Sequence, residues 1–374
     1  MSSMIGFANE EAAVIGLSRM YKQYGFRHFK MSKFEEYDLY SQNKDFLLGS
    51  SVITFTDTNG SLMALKPDVT LSIVKGSNDS FTELEKVYYS ENVYRVDKGT
   101  HRFKEIMQLG LECIGDLDNY AVSEVIMLAK KSLDAICERN ILDISHMGFL
   151  TGILENEDLS RRKMNVLVEC IRSKNTIETE NRCKEFGVSF EAANTLKALT
   201  SIYGPFDRCI EQLSKISINE STNRAVEELR NIYGVLKACG FGTGVNLDFS
   251  IVNDLDYYNG VIFNGFIDGV PNAVLSGGRY DNLMKKFGKK SGAVGFAVYL
   301  DQFARLMASD EEYDADVLLV YDKDADPKTV AKTVKEFTAD GRSVKAQRFM
   351  REGLKYKTLV RVSGTEVKTV EADD

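Results

Sequence analysis

Cysteine is sparse and scattered. The six cysteines (Cys113, Cys137, Cys170, Cys183, Cys209 and Cys239) include no CxxC pair, so neither a zinc site nor a disulfide framework is suggested. Free thiols in a reducing cytoplasm are expected. Histidine is scarcer: His28, His101 and His146 stand alone, none with a partner at metal spacing. Each reads as structural or exposed, with ligand contact an alternative for His101. No run approaches the ~20 apolar residues of a membrane span. The first residues, MSSMIGFANEEAAV, have neither a basic start nor an apolar run, so no signal peptide is expected. Positive charge is in deficit: 47 Lys and Arg against 55 Asp and Glu leave a net −8. That argues against a general nucleic-acid or anionic-membrane surface. Repeats and low-complexity tracts are absent.

What is present is a soluble composition, 44% hydrophobic and 27% charged over 374 residues, long enough for two or three domains. The chain is organised around Tyr94 to Gly115. A charged segment, Arg95 to Lys104, reads as a loop between two strands. In the second strand Met107, Leu109 and Leu111 face one way, while Gln108, Gly110 and Glu112 face the other. The polar face could be a floor for a small zwitterion, or simply solvated.

Upstream, Asn9 can cap a helix through Tyr24 that ends at Gly25. Phe26 to Met31 reads as a strand. Asp57-Thr58-Asn59-Gly60 marks a hairpin. Pro67 fits the first turn of a helix with Asp68 near its start. Downstream, Val122 to Ile136 carries a helical apolar stripe, Ile141 to Ile144 a strand, and residues of about 118–240 are mostly helical with a break at Pro205. Val245 to Val252, Val261 to Ile267, Ala273 to Leu275 and Ala293 to Val298 read as strands. Tyr257 and Tyr258 alternate faces, which makes Tyr258 the one to face a pocket and Tyr257 core. Lys285, Lys286, Lys289 and Lys290 read as a solvated face. Residues 311–374 form a separate small α/β module with a terminal hairpin.

Four stretches together resemble the class II aminoacyl-tRNA synthetases, and within them histidyl-tRNA synthetase. They are LKPDVT at 65–70, the 94–115 stretch, DLDYYNG at 254–260, and SGGRYDNL followed by AVGFAVYLDQF. The resemblance covers about residues 10–308. It implies an α+β fold: an antiparallel sheet with flanking helices in residues 1–310, followed by a shortened anticodon-binding domain. Carried over by position, Asp68, Thr70 and Gln108 would hold an α-ammonium, and Arg95 a carboxylate. Glu112 with Tyr257 or Tyr258, and Tyr280, would meet the imidazole of histidine, which has one donor and one acceptor when neutral. Gly277 and Gly278 would support the pocket. Arg279 would either support it or pair with an acid on a neighbouring strand.

The departures bear on catalysis. Ser32 stands where the family has proline, Lys66 where it has arginine, and Asp68 is one methylene shorter than the usual glutamate. The loop 96–101 is one residue short. Asn253 and Asp254 replace an arginine and a glycine. Tyr299-Leu300-Asp301-Gln302 replaces G-L-E-R. An amide cannot replace a bidentate guanidinium against phosphate, so adenylate formation is not expected. A histidine pocket without activating arginines is similar to the regulatory subunits of ATP phosphoribosyltransferase. That resemblance implies a non-catalytic, cytoplasmic protein without cofactor or metal. It would partner the short-form catalytic subunit as a homodimer within a hetero-octamer and take L-histidine as feedback effector. A divergent histidyl-tRNA synthetase and a stand-alone histidine- or tRNA-sensing paralogue are the alternatives.

Overall fold

The computed structural model describes residues 6–7, 9–43, 52–80, 82–96, 100, 102–252, 257–307 and 313–372. The chain divides into two compact units, residues 1–307 and 308–374. Through the first run β1 (Arg27–His28), β2 (Phe34–Glu36), β3 (Thr54–Thr56), β4 (Leu62–Leu65), β5 (Glu85–Val96) and β6 (Phe103–Gly115). After helix Asn119–Ile136 come β7 (Asn140–His146), β8 (Tyr203–Pro205), β9 (Val245–Asp248), β10 (Val261–Ile267), β11 (Leu275–Arg279) and β12 (Gly292–Tyr299). Among the described residues these form a nine-stranded sheet, ordered β1-β5-β6-β12-β11-β10-β7-β9-β8, and a separate β2-β4-β3 sheet. The large sheet is antiparallel except where β1 meets β5 and β7 meets β9.

One face of the sheet is closed by two helices. Asn9 Oδ1 accepts from Ala12 N at 2.8 Å and starts helix Glu10–Gln23, which ends beyond Tyr24 at Gly25 with φ +84°. Asp118 Oδ1 accepts from Ala121 N at 2.7 Å and starts the second. Its stripe (Val122, Val125, Ile126, Leu128, Ala129, Leu133, Ile136) is wholly buried. The helices meet where the Tyr21 and Ser132 hydroxyls hydrogen-bond at 2.9 Å, and Tyr21 stacks edge-on against Phe296 of β12 at 5.9 Å. Gly265 on β10 lets the second helix come close: a Cβ there would sit 2.7 Å from Leu133 Cδ1.

Several sequence expectations shift. Arg95, Val96, Phe103 and Lys104 belong to strands, since β5 and β6 pair as far as Val96↔Phe103. The strand at 26–31 shrinks to two residues, and the one at 245–252 ends at Asp248 and turns into a 3-10 helix. Pro67 lies ahead of helix Thr70–Gly76, not in its first turn, and Asp68 caps that helix by accepting from Leu71 N at 2.9 Å. The glycine pair expected after a strand ending at Leu275 lies inside β11. Lys289 is half-buried; its Nζ donates to the Val74 carbonyl in the last turn of helix Thr70–Gly76, and to the Ser77 carbonyl at 2.5 Å and hydroxyl at 2.8 Å just past its end. Asn253, Asp254 and His101 lie outside the described residues, as does most of the short loop.

Six helices from Met147 to Ala238 make the helical segment, broken at Pro205, which belongs to β8. His146 is buried, its Nε2 3.2 Å from Glu228 Oε2 on helix Glu220–Ala238. The second unit consists of β13 (Ala315–Tyr321), helix Pro327–Ala339, β14 (Val344–Gln347), β15 (Tyr356–Ser363) and β16 (Glu366–Ala372), with sheet order β14-β13-β15-β16. Its core, Val317, Leu319, Val360 and Val362, packs under Val330, Val334 and Phe337 of the helix. Among the described residues no helix is long and apolar enough to cross a membrane. Leu133→Ala, which hollows the helix–sheet contact at Gly265, is expected to cost about 2–5 kcal/mol in denaturant unfolding. A loss below about 1 kcal/mol would remove that contact from the core account.

Candidate ligand-binding site

The site grows from the register of β6 with its neighbours. Gln108, Gly110 and Glu112 share one face of β6, and β12 sets Tyr299, Ala297 and Gly295 opposite them. β5 sets Tyr89 opposite Gly110. This face is not solvated: Gln108 is 3% and Glu112 2% exposed. Two glycines make the geometry possible. A Cβ on Gly295 would lie 1.6 Å from Glu112 Oε2, and one on Gly110 would lie 2.4 Å from the Tyr89 hydroxyl oxygen. The phenol of Tyr89 thus occupies the space over Gly110 that the sequence offered as open floor.

The cavity is about 50 Å³ and is lined by Asp68, Thr70, Tyr89, Arg95, Gln108, Glu112, Tyr257, Tyr258, Ser276, Gly277, Tyr280, Gly295, Phe296, Ala297 and Tyr299. All eight residues expected to contact a ligand (Asp68, Thr70, Arg95, Gln108, Glu112, Tyr257, Tyr258, Tyr280) are brought together there. Tyr257 corrects one expectation: both tyrosines line the cavity, their rings edge-to-face at 4.5 Å. Gly278 is not in the lining, but it leaves room for Tyr258, whose Cδ1 would be 2.7 Å from a Cβ there. Arg279 is outside too. Its Nε donates to Asp281 Oδ2 at 2.9 Å, an acid at the start of the next helix and not on a neighbouring strand. Lys66 is fully buried and paired with Glu91, a structural role. Tyr89 and Ser276 escaped the sequence reading. The mid-strand Gly110 was the available signal for Tyr89, since a glycine there marks close approach by another group.

Hydrogen bonds set the charges. Thr70 Oγ1 donates to Glu112 Oε1 at 2.8 Å, and the Tyr280 hydroxyl donates to Oε2. Burial outweighs these donors and pushes the Glu112 carboxyl up to about 8. Burial also raises Asp68, against the pull of Leu71 N and the Arg95 guanidinium. The Tyr89, Tyr257, Tyr258 and Tyr280 phenols are all pushed well above their ordinary value by burial, so they stay neutral donors. Arg95 is anchored by its Nε on the Pro67 carbonyl at 2.9 Å. Among the described residues it is the one cation in the lining. The cavity therefore has an acidic, phenol-rich end at Glu112 and a mixed end at Asp68, Gln108 and Arg95. A small ligand with an ammonium, a carboxylate and a ring donor matches that distribution. Among the described residues no group of three or more His, Cys, Asp or Glu could hold a metal.

A family model described as histidyl-tRNA synthetase matches residues 6–303. A solved Bacillus halodurans chain, described as an ATP phosphoribosyltransferase regulatory subunit/histidyl-tRNA synthetase, matches with a TM-score of 0.79 at 23% identity, over 94% of this chain and 93% of that one. A chain of an ATP phosphoribosyl transferase complex from Thermotoga maritima matches with a TM-score of 0.60 at 19% identity, over 78% of this chain and 97% of that one. The protein thus has the α+β class II fold of the histidyl-tRNA synthetases. An ATP phosphoribosyltransferase regulatory subunit from Clostridium kluyveri is 30% identical over 318 residues, 82% of this chain and 81% of the relative. The chain belongs to the family of ATP phosphoribosyltransferase regulatory subunits.

The buried Glu112 carboxyl has a consequence for stability. Its value of about 8 lies above the ordinary 4.5, so the folded chain keeps a proton that the unfolded chain releases. The stability from that proton is complete below about pH 4.5 and is lost as pH rises through about 8. Thermal melts without ligand should show wild type losing on the order of a few kcal/mol across this window relative to Glu112→Gln. Parallel pH profiles for the two chains would contradict the burial of a titrating carboxyl.

Proposed function

We propose that this chain is a non-catalytic regulatory subunit that supports a short-form ATP phosphoribosyltransferase catalytic subunit and binds free L-histidine as feedback effector of histidine biosynthesis. The observation that carries the reading is the Glu112 carboxyl, buried between Thr70 and Tyr280 at the opposite character of the cavity from Arg95. An imidazole can share one proton with such a carboxyl and use the phenols of Tyr258 and Tyr280 for its other nitrogen. Asp68 and Gln108 take the ammonium, with Thr70 tying that end to Glu112. Arg95 takes the carboxylate as a charge-assisted pair. Tyr257 packs against Tyr258 and Tyr280 and holds their rings.

The non-catalytic part rests on the end of β12. Gln302 is a neutral amide, accepting from Asn272 Nδ2 at 3.3 Å and donating to Asp301 at 3.0 Å. It offers no charge to a triphosphate, and activation of a carboxylate by ATP depends on such charges. The Thermotoga maritima complex supports a partner subunit. A homodimer inside a hetero-octamer, located in the cytoplasm, completes the assembly we infer. The second unit, which we read as a shortened anticodon-binding domain, has no assigned nucleic-acid role in this scheme, in keeping with the acidic chain.

Calorimetry with L-histidine tests the pocket. Wild type should bind, and Glu112→Ala should weaken binding by about 1–3 kcal/mol, roughly 5- to 150-fold. Unchanged affinity would remove Glu112 from the site. No histidine-dependent exchange of pyrophosphate into ATP is expected; clear exchange would overturn the non-catalytic reading in favour of a divergent synthetase.

A further inference from the structure

Tyr299 lines the cavity with Arg95 and Gln108. It is the last residue of β12, paired with Gln108 of β6, and its N–H donates to the Val274 carbonyl at 2.8 Å. The backbone is thus pinned from both sides, and the side chain lines the cavity together with Arg95 and Ser276. Burial raises the proton affinity of its phenol; the Arg95 guanidinium and a hydrogen bond with Ser276 oppose that, while Asp68 inside the lining and Asp301 outside it add to it. Asp301 Oδ1 is buried and has no hydrogen-bond partner among the described residues. Its other oxygen accepts from Gln302 Nε2 at 3.0 Å and lies 4.0 Å from the half-exposed Lys104. A group extending from a carboxyl held at Arg95 therefore meets an aromatic ring whose backbone cannot retreat.

We propose that Tyr299 sets the ligand class of this site: it admits free amino acids whose carboxylate ends at Arg95 and excludes carboxyl-linked derivatives such as peptides, esters and acyl phosphates. The inference rests on the amino-acid reading above and adds its specificity. A steric gate of this kind gives a sensor of the free amino acid that ignores the same residue in bound form.

Calorimetry of the full chain with L-histidine and with the dipeptide histidyl-glycine decides it. Wild type and Tyr299→Phe, which keeps the ring, should bind histidine and bind the dipeptide at least ~30-fold more weakly. Tyr299→Gly should narrow the ratio of histidine to dipeptide affinity by at least ~10-fold, through tighter binding of the dipeptide. Equal affinity of wild type for both ligands overturns the gate and leaves the amino-acid reading intact. Rejection of the dipeptide by wild type and Tyr299→Gly alike removes Tyr299 from the role. Failure of wild type to bind histidine overturns both readings. If Tyr299→Gly does not fold, Tyr299→Ala replaces it with the same expected gain, and the wild-type comparison already tests the exclusion.

Discussion

Placing a carboxyl in a protein interior disfavours its charged form unless donors or a cation answer it. Glu112 has donors on both oxygens, from Thr70 and Tyr280, and still keeps a raised proton affinity. The architecture of the first unit follows from accommodating that group. β12 must present a glycine at position 295, because any side chain there would collide with the carboxyl. Helix Thr70–Gly76 must start where it does, because its first residue supplies a donor and Asp68 caps it from inside the cavity. The Tyr280 ring, at the end of β11, must turn inward. A glutamine or a leucine there would avoid that desolvation cost, which in the proposed reading a ligand sharing the proton offsets.

The charges at the two ends of the cavity separate binding from activation. Recognition of a zwitterion, as proposed, needs one cation, and among the described residues Arg95 is the one in the lining. Phosphoryl chemistry on the bound carboxylate would need more positive charge at the end of β12, where the chain instead has Tyr299, Asp301 and Gln302. Regulation then requires that histidine favour one of two arrangements of the assembly, with a differential affinity that sets the extent of inhibition. In the proposed reading the synthetase-like scaffold is a rigid holder for an effector, with its chemistry replaced by contacts to another subunit.

Much of this is legible in the chain. The period-two pattern from Met107 to Glu112 separates the two faces of β6, and the caps at Asn9 and Asp118 fall where hydrogen bonds hold them. The eight residues expected to contact a ligand, drawn from four distant stretches, converge on one cavity, where β5, β6, the start of helix Thr70–Gly76 and the segments before β10 and after β11 meet. Other features are not local. Arg95 and Lys104 read as a loop because charge dominates there, yet cross-strand pairing carries β5 and β6 past them. The burial of Lys66 depends on Glu91, 25 residues away. Tyr89 enters the site only through the register of β5 on β6, which no single segment encodes. Tyr257 and Tyr258 defeat the alternation rule because neither belongs to a strand.

The central claim is that this chain couples free histidine to the activity of another subunit. The direct measurement is the activity of the cognate short-form phosphoribosyltransferase, with and without this chain, across a histidine titration. Higher activity is expected in the presence of the chain, with inhibition by histidine that disappears with Glu112→Ala. An enzyme whose activity and histidine response are the same with or without the chain would contradict it.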